Sequence, residues 1–345
     1  MSLPAPRRIL VIMLRRVGDV ILTTPAVRAL RKLHPAAELD FLVEPPCHEV
    51  LHGNPDLTRV LLYGSAPANY LYWLFRVNRA GYDWVIDFMG NPRTAALTAA
   101  SRAPVRAGPG HVSHRWAYTH PMTQSADRAR YSALEKILML RSLGLDADAG
   151  DYLPRMSADP DSEEFANAAT RRLRLPGGLL VGLVPASRRE TRRWPAARYA
   201  ALGRLLRDKL GARLLVFWGP GEEALAREVR DGIGTAAHLS PETRSIRQLA
   251  ALIGRCGLVV TNCSGPRHIA TARSVPTVTV HGSSDPAAWN PPDSPLHAVV
   301  RREELACIGC RSNSCPTQLE CLRDLEAERV FAACEKVLSL TARPS

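Results

Sequence analysis

Short apolar runs, each closed by a turn of small or charged residues and followed by a helical pattern, recur along this chain and leave few folds open to it. RILVIML (8–14), ELDFLV (38–43), VLLY (60–63), WVIDF (84–88) and a brief run at 105–108 predict strands in the first half. LLVGLV (179–184), LLVFW (214–218), LVV (258–260) and TVTVH (277–281) predict them in the second. Apolar residues at helical spacing lie between, as at Ile21, Val27, Leu30 and Leu33, and across 93–101, 131–143, 161–173, 194–210, 224–233 and 245–256. Strands alternating with helices imply doubly wound α/β architecture. At 345 residues the chain exceeds what one core usually holds. The polar, proline-bearing stretch LPRMSADPDSEE divides it. The expected domains are 1–157 and 158–325, each Rossmann-like and facing the other across a cleft, with a closing helix in 326–345 that packs back on the first.

Composition narrows the partners. No apolar run reaches the roughly 18 residues that span a bilayer, and the first block, MSLPAPRRILVIMLRR, soon meets charge, so no signal peptide and a cytoplasmic protein are expected. The net charge is +12, carried by 41 arginines and only 4 lysines, and it divides evenly between the halves. An evenly basic chain suits nucleic acid, an anionic membrane surface or a phosphorylated substrate. The absence of a zinc-finger, helix-turn-helix or RNP-type signature argues against nucleic acid. Eight cysteines without an export signal favour reduced thiols or a metal over a disulfide framework.

Three places carry candidate chemistry. Residues 258–272, LVVTNCSGPRHIATA, read as strand, tight turn and helix start, with Pro266 at the first helical position. Free N–H groups and the helix dipole attract phosphate there, and Ser264 adds a hydroxyl. The first strand delivers its carboxyl end into RRVGDV, where Asp19 can act as general base or cap a helix. Glu222 or Glu223 stands after LLVFW, where a carboxylate can hold ribose hydroxyls or partner a helix dipole. Two further clusters are ambiguous. His111, His114, Arg115 and His120, between 108 and 125, read as a mobile substrate-facing loop rather than a metal site. Cys307, Cys310, Cys315 and Cys321 form C-x2-C-x4-C-x5-C, which could hold zinc or an iron–sulfur cluster, or remain reduced thiols or a local disulfide. Cys47, Cys256 and Cys334 read as small core residues.

RILVIMLRRVGDVILTTPAVRALRKLHPAAELDFLV resembles the opening of the ADP-heptose:lipopolysaccharide heptosyltransferases. YDWVIDFMGNPRTAAL, RRWPAARYAAL, FWGPGEE, TNCSGPRHIA and VHGSSDPAAWNPP resemble later blocks of that family in the same order. The resemblance implies a GT-B fold, with an acceptor domain first and a nucleotide-sugar domain second, and an inverting, metal-independent glycosyltransferase. Asp19 would be the base, Arg192 would take the family's lysine position, and Gly18, Arg15, Arg16 and Asn91 would meet the acceptor. Ser187, Glu222, Cys263, Ser264, Gly265, Pro266 and His268 would line the donor. Three residues depart from the pattern: Arg192 replaces a lysine, keeping the charge but changing its geometry, Cys263 replaces a usual aspartate, and Arg267 replaces a usual methionine, adding a cation near the diphosphate.

The expected function is transfer of heptose from ADP-heptose to a lipopolysaccharide inner-core acceptor, by a cytoplasmic enzyme peripheral at the inner membrane and without a cofactor. Cys263 keeps open another sugar nucleotide or a protein acceptor. A non-catalytic sugar-nucleotide or glycan-binding homologue is the alternative of a different class.

Overall fold

The structure, a computed structural model, describes residues 3–64, 66–124, 130–175 and 177–341. Ser125, the end of the expected His-rich loop, and residues 342–345 of the expected closing helix lie outside that set. The chain divides into two compact units, Met1–Ser157 and Ala158–Ser345.

The first unit runs β1 (Arg8–Ile12), α1 (Val17–Ile21), α2 (Thr24–Leu33), β2 (Glu38–Val43), β3 (Arg59–Leu62), α3 (Pro67–Arg79), β4 (Trp84–Asp87), α4 (Pro92–Ala100), β5 (Val105–Pro109), β6 (His120–Met122) and α5 (Ser132–Arg141). All its paired strands are parallel, in the order β3-β2-β1-β4-β5-β6. Ile9, Leu10, Val11 and Ile12 of the central strand are completely buried, as a strand covered on both faces must be. The expected single helix after β1 is broken at Leu22–Thr23. Pro25 starts a new helix there, and the Thr23 hydroxyl donates to the Asp19 carbonyl at 2.7 Å.

The second unit runs α6 (Pro160–Arg172), β7 (Leu180–Val184), α7 (Ala196–Leu210), β8 (Arg213–Val216), α8 (Glu223–Ile233), β9 (Ala237–Leu239), α9 (Ile246–Ile253), β10 (Leu258–Asn262), α10 (Gly265–Ala272), β11 (Thr277–Val280), α11 (Pro286–Trp289), β12 (His297–Val300), α12 (Glu320–Arg323) and α13 (Ala327–Thr341). Its sheet order, β12-β11-β10-β7-β8-β9, read from the other edge, repeats that of the first: third, second, first, fourth, fifth and sixth strand. This is the dinucleotide-fold order, in which the strand order reverses between the first and fourth strands. Val330, Phe331, Cys334 and Val337 of the closing helix α13 are buried in the core of the second unit, against α7, β11 and β12.

Candidate functional site

In the first unit the reversal point lies between β1 and β4, which pair Ile12 with Asp87. Both strands end in candidate residues. After β1 come Arg15 and Arg16, both exposed, then Gly18 and Asp19, partly exposed, in the first turn of α1. The Arg16 N–H donates to Asp19 Oδ2 at 3.4 Å, a long and weak cap. Asp19 therefore caps as one reading expected, and its carboxylate keeps capacity for a substrate hydroxyl. Its charge also reaches Lys136 of α5, whose ammonium donates to Ser132 Oγ at 2.8 Å. Burial lowers the Lys136 pKa to about 8, while Asp19 and Glu135 work the other way.

At the end of β4 the buried Asp87 carboxylate accepts from the N–H groups of Met89 (2.9 Å) and Gly90 (3.0 Å) and from the Tyr118 hydroxyl (2.9 Å). Burial raises its pKa against those bonds. The turn so formed presents Asn91, whose Oδ1 accepts from the Thr94 N–H at 2.9 Å and caps α4. Its amide nitrogen is the part left to meet an acceptor. The His-rich loop differs from expectation. Residues 120–122 form the edge strand β6, and His114 Nε2 bonds the Gly90 carbonyl at 2.7 Å, fixing that segment to the Asn91 turn.

In the second unit the reversal point lies between β7 and β10, which pair Val184 with Thr261. Asn262 ties the two strand ends together. Its Nδ2 donates to the Pro185 carbonyl at 2.8 Å, and its Oδ1 accepts from the Trp194 N–H at 3.0 Å. Trp194 is itself fully buried, with its indole N–H on the Leu325 carbonyl. The short 3-10 turn Glu190–Arg192 is thereby pinned beside the ends of β7 and β10, with Arg192 partly exposed. Thr191 anchors its other side: its carbonyl accepts from the Ser283 N–H, and its hydroxyl donates to the Ser312 carbonyl. Ser187, buried in the same loop, is held through its carbonyl by Arg193.

Past Asn262 the buried Cys263 thiol leads into Ser264, Gly265 and Pro266, the partly exposed residues that open α10. Ser264 stands at the N-cap, yet its side chain makes no capping bond; its hydroxyl lies 3.4 Å from that of Thr261. Pro266 has no N–H and the Arg267 N–H donates to the Ser264 carbonyl at 3.3 Å, so the Gly265 N–H and the Ser264 hydroxyl are the donors that this helix start can offer an anion. His268 is buried, with Trp289 edge-on at 6.1 Å, which favours its packing role. Arg267 corrects an expectation. It is wholly buried and turned inward, with Nη1 donating to Asn290 Oδ1 at 2.8 Å and Nη2 lying 3.2 Å from His268 Nδ1. It can reach an anion only through its field. That field acts at His281, whose pKa is pushed down to about 3 first by burial and then by Arg267, with Arg301 and Arg192 adding to it. Glu222, at the N-cap of α8, turns Oε2 back to accept from the Gly219 N–H at 3.0 Å. The ordering bond and the ribose-binding reading are compatible, because a carboxylate has further acceptor capacity.

Cys307, Cys310, Cys315 and Cys321 are free thiols, and among the described residues no three or more His, Cys, Asp or Glu side chains are grouped to hold a metal ion. Cys47, Cys256 and Cys334 are buried. Asn262 and Trp194 are the site-building residues that sequence reasoning passed over; their only sequence signals are a polar residue ending an apolar strand and a tryptophan ending a polar loop.

The profile of glycosyltransferase family 9 (heptosyltransferase) matches residues 74–320. Lipopolysaccharide heptosyltransferase 3 of Escherichia coli is 26% identical over 298 residues, covering 79% of this chain and 83% of the relative. Among solved structures, a family 9 glycosyl transferase from Veillonella parvula superposes with TM-score 0.86 at 26% identity, covering 99% of both chains. The E. coli heptosyltransferase WaaC with ADP-2-deoxy-2-fluoro heptose superposes with TM-score 0.71 at 23% identity, covering 95% of this chain and 99% of that one. With two Rossmann-like units shared with these GT-B proteins and the family profile spanning most of its length, the chain belongs to glycosyltransferase family 9, the heptosyltransferases, and is a glycosyltransferase.

Proposed function

We propose that the protein transfers heptose from ADP-heptose to a sugar hydroxyl of the lipopolysaccharide inner core, with inversion at the anomeric carbon. The observation that carries this reading is the anion-binding element of the second unit. The N-terminus of α10 with Ser264, the partly exposed Arg192 and the field of buried Arg267 suit a diphosphate that gains negative charge as it leaves. Protein donors and cations supply that stabilisation in this reading, so a metal has no required part. Glu222 would accept from the ribose, and Ser187, Cys263, Gly265, Pro266 and His268 would complete the donor wall. In the first unit Asp19 takes the proton from the acceptor hydroxyl as it attacks, with Gly18, Arg15, Arg16 and the Asn91 amide meeting an anionic acceptor. The named relative acts on lipopolysaccharide, and the WaaC structure holds an ADP-heptose analogue, which supports both substrates. No helix among the described residues is long and apolar enough to cross a membrane; a peripheral place at the cytoplasmic face of the inner membrane is part of the proposal.

Cys263 favours one second reading, a different sugar on the nucleotide. A buried thiol cannot accept the two hydroxyl hydrogen bonds that a carboxylate can. A donor panel decides: nucleotide release is expected from ADP-heptose above all others, and preference for another sugar nucleotide would transfer the assignment.

A further inference from the structure

Helix α3 turns apolar side chains toward solvent. Its inner row is ordinary: Trp73 and Val77, four residues apart, are buried at 2% and 1% exposure in the core of the first unit. The two neighbouring rows are not. Leu71, Phe75 and Arg79 form one row at four-residue spacing, and Tyr72 and Arg76 form the next. Leu71 is 69% exposed, Phe75 58% and Tyr72 52% with the whole chain present. Leu62, ending strand β3 at the edge of the sheet, is 49% exposed. The arginines lie on the rings: Arg76 sits 5.7 Å over Tyr72 and 4.6 Å over Trp73, and Arg79 sits 4.5 Å over Phe75. No aspartate or glutamate occurs in the helix.

The apolar face made by Leu71, Tyr72 and Phe75 along the helix marks a contact surface. Its charge selects between occupants. In a symmetric pair of chains, Arg76 and Arg79 would meet their own counterparts with no carboxylate on the helix to balance them. A bilayer with anionic headgroups meets every feature instead. Leucine and phenylalanine enter the acyl boundary, tyrosine sits at headgroup depth, and the arginines lay their stems along the rings and reach phosphate. We propose that α3 docks the protein flat on an anionic lipid surface, through Leu71, Tyr72 and Phe75 as apolar anchors and Arg76 and Arg79 as headgroup ligands. This docking face rests on, and gives residues to, the peripheral membrane placement proposed above, and it is independent of which sugar the enzyme transfers.

Co-sedimentation of the full chain with vesicles tests this, using phosphatidylethanolamine with phosphatidylglycerol on one side and phosphatidylcholine alone on the other. Wild type is expected to bind the anionic vesicles, with salt weakening the binding. Leu71→Ser and Phe75→Ser should each lower the partition coefficient about tenfold. Arg76→Gln and Arg79→Gln should each lower it about fivefold and flatten the salt dependence. Leu340→Ser, at a 36% exposed position of α13, should leave it unchanged. Circular dichroism and the thermal midpoint check that the variants, all altered at exposed positions, stay folded. Folded Leu71→Ser/Phe75→Ser protein that binds as wild type does would overturn the proposal. So would wild type that ignores anionic vesicles; a dimer by light scattering that the same substitutions disperse would assign the face to a second copy.

Discussion

Asn262 shows how one buried side chain can shape a candidate site from beneath. It is wholly buried, and its amide satisfies both the Trp194 N–H and the Pro185 carbonyl. Asn262→Ala leaves both unpaired in a dry environment, at a cost of about 1–3 kcal/mol. The expected outcome is a lower urea midpoint by that amount and a weaker affinity for ADP, since the Arg192 turn loses its anchor; equilibrium unfolding and ADP titration measure the two. This role was not legible in the sequence, because Trp194 and Pro185 are 68 and 77 positions away. Asp19 and Ser264 were legible, because strand, turn and helix follow one another within a few residues and place them at strand ends by local rules alone. Arg267 was half legible: its charge is written in the sequence, its inward direction is set by Asn290, 23 residues on.

At the scale of elements, long buried strands announced themselves and short edge strands did not. β2 runs over the very residues its apolar block predicted, whereas the edge strands β6, β9 and β12, of three or four residues, each include a histidine that breaks the apolar run by which β4, β8 and β11 stand out. Helix α3 escaped for another reason. Its outward-facing leucine, tyrosine and phenylalanine blur the single apolar stripe by which a surface helix is recognised. The central strand β7 also carries a constraint that the pattern hides. A Cβ on Gly182 would stand 2.8 Å from Phe217 Cε2, 3.0 Å from Cys256 Sγ and 3.3 Å from Val259 Cγ2. The glycine is there because three core side chains close over it. Gly182→Ala should therefore destabilise the protein by about 1–3 kcal/mol through overpacking, read as a lower thermal midpoint. Unchanged stability would mean that the second unit's core yields more easily than its packing indicates.

For the whole molecule, two sheets of identical strand order arise from halves that share no visible repeat, so the fold is encoded by the sequence of element types rather than by residue identity. Its pH tolerance is set by burial. His281 is held down to about 3 and His297 to about 4, in each case first by desolvation and then by the Arg267 charge. Both imidazoles therefore stay neutral in the folded state while the unfolded chain protonates near pH 6.5. The folded state binds fewer protons, so their contribution is whole above about pH 6.5 and is lost as the pH falls toward those values. By pH 5 each costs about 2 kcal/mol. Urea unfolding at pH 7 and pH 5 should show this loss, and His281→Gln should flatten it by about half.

The most direct test of the central claim is acceptor-dependent ADP release from ADP-heptose with a Kdo-lipid A acceptor, run on wild type and on Asp19→Asn. Turnover by wild type, a fall in kcat of about 10²- to 10⁴-fold in the variant and an unchanged affinity for donor are predicted. Equal rates in the two proteins would remove Asp19 as the base, and absence of ADP release from folded wild type would contradict heptosyl transfer itself.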